Sequence, residues 1–234
     1  LFVGVGDPIY NAADPRRSAY SPGGLAKLFS ATPADAPLEM ARLAGSGREI
    51  GACRQAWGVP RSETILLSGG QASPRQLSQA LAFRPSVVHF ATHFVKSAGD
   101  EPQALMALSL GAGGSPELLG PVEIARRRVE VGLVVLSGCS SSEAAALPAE
   151  GLMGMTRAWL AAGAQAVIAS LWPTPDDQGR LFVAFYRHLG GLMEQGNSGA
   201  APEALRRAQL EMLHSGAWQA STAYWAAYTV AGKE

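Results

Sequence analysis

The sequence predicts an α/β fold in which helices cover both faces of a mainly parallel sheet. Two observations carry that expectation. Short β-branched runs alternate with helical patterns along the chain, the order expected of strand, crossover helix and parallel strand. The chain of 234 residues is also 47% hydrophobic and only 16% charged, enough apolar surface to order a sizeable core.

The strands are expected at Leu1 to Gly6, Thr64 to Ser68, Ser86 to Thr92, Leu133 to Ser137, Ala166 to Leu171 and Tyr224 to Val230. Between the first two, Pro37 to Trp57 carries apolar residues at Leu38, Met40, Leu43, Ile50 and Trp57, a helical spacing broken by Gly45 and Gly47. Ser73-Pro74 followed by Leu77 and Leu81 reads as an N-cap, a first-turn proline and one apolar stripe. Gly151 to Ala162, Pro175 to Leu189 and Pro202 to Leu213 are the remaining helices. Lys96 to Pro121, bracketed by Gly99-Asp100 and the Gly111 to Gly114 cluster, reads as a hairpin-like excursion from the parallel sheet. Asn11 to Ala36 and Gly190 to Ala201, rich in Pro, Gly, Ser and Ala, are expected as surface loops, and Arg126 to Arg128 as the solvated end of a short helix.

Composition excludes several classes. The 19 basic and 19 acidic residues cancel, leaving no footprint for nucleic acid or an anionic membrane. The two cysteines, Cys53 and Cys139, cannot build a disulfide framework or a cysteine-type zinc cage. The opening run is cut by Asp7-Pro8 with no basic lead-in, unlike a signal peptide, and no apolar stretch suits a bilayer span. A cytoplasmic protein is the expectation. A start without Met, directly in a strand-like run, suggests a domain taken from a longer chain, with residues 1–234 forming one unit.

Familiar motifs are missing. The one Gly-Lys, Gly232-Lys233, is not followed by Ser or Thr, and Gly4-Val-Gly6 lacks the third glycine of a dinucleotide loop. No Gly-x-Ser-x-Gly elbow and no His-Glu-x-x-His occur. His89 and His93 share a strand face, but no nearby Asp, Glu or Cys completes a ligand set, so neither metal nor cofactor is expected.

Two predicted strands end in reactive residues, His93 after Ser86-Val-Val-His-Phe-Ala-Thr and Cys139 after Leu133-Val-Val-Leu-Ser-Gly. Reactants gather at the carboxyl ends of parallel strands. If these strands are neighbours, an imidazole can take the thiol proton and leave the thiolate that attack on a carbonyl requires. Gly138 removes a side chain just before the thiol, and backbone N–H groups at Cys139 and after His93 would face a developing oxyanion. Ser140 to Ser142 leave room for a peptide. The local pattern equally allows a buried strand-end thiol beside a hydrogen-bonded core histidine. Cys53, within a helical stretch, reads as a core residue.

Taken together, Gly6-Asp7-Pro8, Arg48-Glu49-Ile50, Leu66-Leu67-Ser68-Gly69, His89-Phe-Ala-Thr-His93, Leu136-Ser-Gly-Cys139, Glu150-Gly151-Leu152, Arg157 to Ala164, Ala169-Ser-Leu-Trp172, Phe185-Tyr186 and Tyr224-Trp225 to Gly232 resemble the CHAT domain. This caspase-like peptidase family is related to separases and is common beside tetratricopeptide repeats in bacteria. The resemblance implies a caspase-like three-layer sandwich and a cysteine endopeptidase with a His93 and Cys139 dyad acting on a protein substrate. It also implies repeats or another sensor domain in the same or a partner chain, and regulation through them.

The family usually has Gly after the catalytic histidine, and Phe94 stands there. The backbone N–H survives, but the side chain puts the oxyanion hole in question and keeps a catalytically degenerate interaction module as the alternative. By the same resemblance Asp176 lies in the pocket for the residue before the cut, where a carboxylate would favour Arg or Lys. Pro173 departs from the acidic residue common in that segment, and Asp176 with Asp177 would equally cap the next helix. Asp7 is a second candidate for the pocket, with Ser137 and Trp172 beside the substrate.

Overall fold

A computed structural model describes residues 1–20, 40–58, 60–97, 103–138, 152–172, 174, 179–195 and 200–232. Strands β1 (Phe2–Pro8), β2 (Thr64–Gly69), β3 (Val87–Ala91), β7 (Leu133–Leu136), β8 (Ala166–Ser170) and β9 (Tyr228–Gly232) form a six-stranded sheet in the order β2-β1-β3-β7-β8-β9. All pairs are parallel except β8 with β9. The expected excursion is a separate three-stranded antiparallel sheet of β4 (Phe94–Lys96), β5 (Ala104–Leu110) and β6 (Pro116–Leu119). The helices are α1 (Ala44–Trp57), α2 (Pro74–Leu81), α3 (Pro121–Ala125), α4 (Met153–Ala162), α5 (Arg180–Glu194), α6 (Ala200–Leu213) and α7 (Thr222–Trp225).

Strand alternation divides the core into two layers. Val3, Val5, Val88, Phe90, Val134 and Leu136 face Leu77 of α2, Ile124 of α3 and Trp159 of α4. Phe2, Val87, Leu133, Val135 and Ile168 face Cys53 of α1 and the apolar stripes of α5 and α6. Each fully buried side chain such as Trp159, whose ring centroid lies 5.3 Å from that of Phe90, contributes on the order of 1.5–3 kcal/mol. This is the helix, sheet, helix sandwich expected from the alternation of elements.

Several boundaries differ from the sequence expectation for identifiable reasons. Helix α1 begins at Ala44, and it runs through Gly45 and Gly47. Its close approach to β1 needs small residues, since a Cβ at residue 6 would lie 2.7 Å from the Ser46 carbonyl oxygen. Helix α5 continues past Gly190 and Gly191, which were expected in a loop, because residue 190 lies against Trp57, 3.2 Å from where a Cβ would stand. The last expected strand splits into α7 and the antiparallel edge strand β9. The N-cap of α2 is as read: the Ser73 hydroxyl accepts from the Gln76 N–H at 3.3 Å, with Pro74 following. Among the described residues no helix is long and apolar enough to cross a membrane.

Candidate active site

Chain order reverses around β1, which has β2 on one side and β3 on the other. The crevice at such a reversal opens at the carboxyl ends of the strands. Asp7 at the end of β1, His93 just beyond β3 and Gly138 just beyond β7 all meet there. Strands β3 and β7 are direct neighbours, with His89 opposite Val135 and Phe90 opposite Leu136. Beyond the ladder the two ends stay in contact. A Cβ at residue 138 would collide with the Thr92 carbonyl oxygen and come within 2.6 Å of the Phe94 ring. Glycine at 138 is thus a requirement of the approach. Cys139, Asp176 and Pro173 lie outside the described residues.

His93 occupies the step from β3 into β4 and is 1% exposed. Its N–H donates to the Tyr10 hydroxyl at 3.1 Å, and its carbonyl accepts from the Ala107 N–H at 2.9 Å. Tyr10 also lies beside the imidazole, ring centroids 4.9 Å apart. The ring Nε2 donates to the Ala41 carbonyl at 2.8 Å. A carbonyl only accepts, so Nε2 carries a proton in the neutral ring, and Nδ1 holds the lone pair. Phe94 turns its side chain into the apolar core, 1% exposed, and pairs with Met106 of β5.

Asp7 has φ of 47°, a left-handed conformation that Asp tolerates better than most residues. Its N–H donates to the Ser46 hydroxyl at 2.7 Å. Its carboxylate accepts a two-pronged grip from Arg42, Nε to Oδ1 at 2.9 Å and Nη2 to Oδ2 at 2.7 Å. Arg16 Nη1 adds a third contact to Oδ2 at 2.8 Å, while its Nε and Nη2 hold Asp14. The hydrogen bond to Asp7 raises the Arg42 guanidinium further above its ordinary value. The carboxylate expected to line a pocket is engaged by the chain's own arginines.

Behind the strand ends lies a buried polar group that sequence reasoning missed. His89 is wholly buried, its Nε2 2.9 Å from Glu49 Oε1 and 3.0 Å from Ser137 Oγ, its Nδ1 3.0 Å from the Tyr186 hydroxyl. Ser137 donates to the same Glu49 oxygen at 2.6 Å, so the hydroxyl expected beside substrate is spent inside. Burial above all pushes the Tyr186 phenol well above its usual value, so it keeps its proton and donates to Nδ1. A signal for Glu49 existed. It falls among Ser46, Ile50 and Cys53 on the buried face of α1, where an unpaired carboxylate would be costly.

Trp172 is 38% exposed and donates from its indole N–H to the Ala223 carbonyl at 2.7 Å. Among the described residues no group of three His, Cys, Asp or Glu side chains is placed to hold a metal. A cavity of about 540 Å³ lined by Ser86, Leu133, Leu189 and Val230 opens at the opposite ends of the strands, away from His93.

The sequence profile of the CHAT domain matches residues 7–233. The chain belongs to the CHAT family. The similar curated proteins include tetratricopeptide repeat protein 28 of Mus musculus, 38% identical over 120 residues, half of this chain and 4% of that protein. The Homo sapiens protein of the same name is 35% identical over 119 residues, again half of this chain and 4% of its length. This CHAT chain therefore spans a small fraction of the relatives it matches. Among solved structures, the Arg-specific cysteine proteinase gingipain R superposes with a TM-score of 0.53 at 11% identity, over 99% of this chain and 46% of that one. The CHAT chain shares the caspase-like cysteine protease fold.

Proposed function

We propose that this chain is a cysteine endopeptidase with a dyad of His93 and Cys139. The observation that carries the reading is the contact between the two strand ends: residue 138 is so close to Thr92 that only glycine fits, and the next residues in sequence after Gly138 and Thr92 are Cys139 and His93. The fixed Nε2–H of His93 supports it too, because it leaves Nδ1 as the basic nitrogen.

In this mechanism Nδ1 takes the Cys139 thiol proton, and the sulfur attacks the peptide carbonyl carbon. The developing oxyanion is held by backbone N–H groups at Phe94 and Cys139, with Gly138 keeping the approach clear. The imidazolium returns its proton to the leaving amine, the C–N bond breaks, and a thioester remains. Water then attacks the thioester with His93 as base, releasing the new carboxyl end and the thiol. Asp176 selects Arg or Lys before the cut through a charge-assisted hydrogen bond. Gingipain R, which shares the fold, is Arg-specific, and that supports a preference for a basic residue here. In this reading the chain acts as one peptidase unit in the cytoplasm under control of tetratricopeptide repeats in the same or a partner chain; the names of its relatives support the association with such repeats.

A peptidyl electrophile carrying Arg beside its reactive group tests the proposal by mass mapping. Cys139 is expected to be labelled far faster than Cys53, which is wholly buried, and labelling is expected to vanish in His93→Ala. No labelling, or equal rates at the two cysteines, would instead favour the degenerate interaction module that Phe94, in place of the family's usual glycine, brings into consideration.

A further inference from the structure

We infer that Arg42 and Asp7 are positioning residues for His93, acting through a strap formed by Met40 to Leu43. This rests on the peptidase reading for its consequence, although the geometry stands without it. Met40 and Leu43 are buried against Tyr10, Val95 and Ala107, so both ends of the strap are pinned beside the small sheet. Between them Ala41 offers its carbonyl to His93 Nε2 at 2.8 Å, and Arg42 reaches back to grip Asp7 with two parallel hydrogen bonds.

The two anchors are joined a second time. Ser46 Oγ accepts from the Asp7 N–H at 2.7 Å and donates its own proton to the Leu43 carbonyl at 2.8 Å. The end of β1, the strap and the start of α1 are thereby one hydrogen-bonded unit. The Arg42 side chain is 49% exposed, so solvent competes for it, but a planar fork on a carboxylate fixes direction in a way a single contact does not. The peptide that carries the Ala41 carbonyl is immediately attached to that fork. Its orientation decides which imidazole nitrogen carries the proton.

Charge fits the same role. Arg42 and Arg16 are balanced by Asp7 and Asp14, so the arginines hold the strap without leaving a net positive field beside a histidine that must become an imidazolium. Asp7 in this arrangement serves the strap and not a substrate's basic side chain. That assignment leaves the selection of Arg or Lys to Asp176.

The test uses the full chain with 15N-labelled histidine, His93 being assigned by its loss in His93→Gln. Two-bond 1H–15N correlations of the ring are expected to report the Nε2–H tautomer in the wild type. Arg42→Gln and Asp7→Asn are expected to shift it to a mixture of tautomers, while Arg42→Lys, which keeps the charge without the fork, retains it in part. Asn tolerates the φ of residue 7, and unchanged circular dichroism confirms that each variant is folded. In parallel, Cys139 labelling is expected to slow by roughly tenfold or more in Arg42→Gln, as for other small losses of alignment. An unchanged tautomer in both folded variants overturns the inference, and so does faster labelling, which would make the strap a blocking element. Absence of wild-type labelling would count against the peptidase reading alone, because the tautomer still decides the role of Arg42.

Discussion

The Thr92 carbonyl oxygen fills the space that a side chain on Gly138 would need. The residues that follow Thr92 and Gly138 in sequence are the histidine and the cysteine proposed to react. Gly138→Ala is expected to force the ends of β3 and β7 apart, costing about 1–3 kcal/mol as overpacking does elsewhere. Urea unfolding measures the loss. Labelling of Cys139 is expected to fall more steeply than stability, since the variant moves the sulfur relative to the imidazole.

The buried group around His89 has a sharper signature. Tyr186→Phe removes the hydroxyl that faces Nδ1 and leaves a buried acceptor without that donor, a loss of about 1–3 kcal/mol. Glu49→Ala removes the acceptor shared by His89 Nε2–H and the Ser137 hydroxyl, leaves two buried donors without it, and is expected to cost more, about 2–6 kcal/mol. Unfolding midpoints within error of the wild type for both variants would contradict this account.

Selectivity for a basic residue is proposed to come from Asp176. A hydrogen bond to a charged group contributes about 1.5–3 kcal/mol, so Asp176→Asn is expected to reduce kcat/KM for Arg substrates by roughly tenfold to a hundredfold while Leu substrates change little. Equal turnover of Arg and Leu peptides by the wild type would remove the proposal.

The ion cluster beside the strap predicts an acid dependence. Hydrogen bonding by Arg16, against the opposing effect of burial, holds the Asp14 carboxyl below its ordinary value of 3.8. A depressed carboxyl stabilises the fold fully above its unfolded value and loses that contribution as pH falls through the lower folded value. Asp14→Asn is expected to be less stable than the wild type near neutrality, by on the order of 1 kcal/mol for a carboxylate whose side chain is 6% exposed, with the difference closing as pH falls below the ordinary carboxylate range. Denaturation at pH 7 and at pH 2.5 checks the sign.

Much of the sheet was legible because strand periodicity and turn residues report which face is buried. Val87, Val88 and Phe90 announce β3, and Leu133 to Leu136 announce β7, so placing His93 beyond one strand and residue 139 beyond the other followed directly. The expected helix over Pro37 to Trp57 fared less well. Met40 and Leu43 carry helical spacing, yet they anchor the strap in a side cluster, a choice made by partners from β4, β5 and the segment after β1. Gly190 and Gly191 looked like a loop because composition cannot see Trp57 lying against them.

By itself the sequence determined the layer order, the burial of Cys53 and the two strand ends on which the chemistry is proposed. The tertiary structure decided which polar groups meet. Arg42 reaches Asp7 across 35 positions, His93 reaches Ala41 across 52, and His89 reaches Tyr186 across 97. Periodicity is a local property that marks a residue as facing inward. A hydrogen bond also needs the partner's position and direction, and those exist only once the sheet has brought distant segments together.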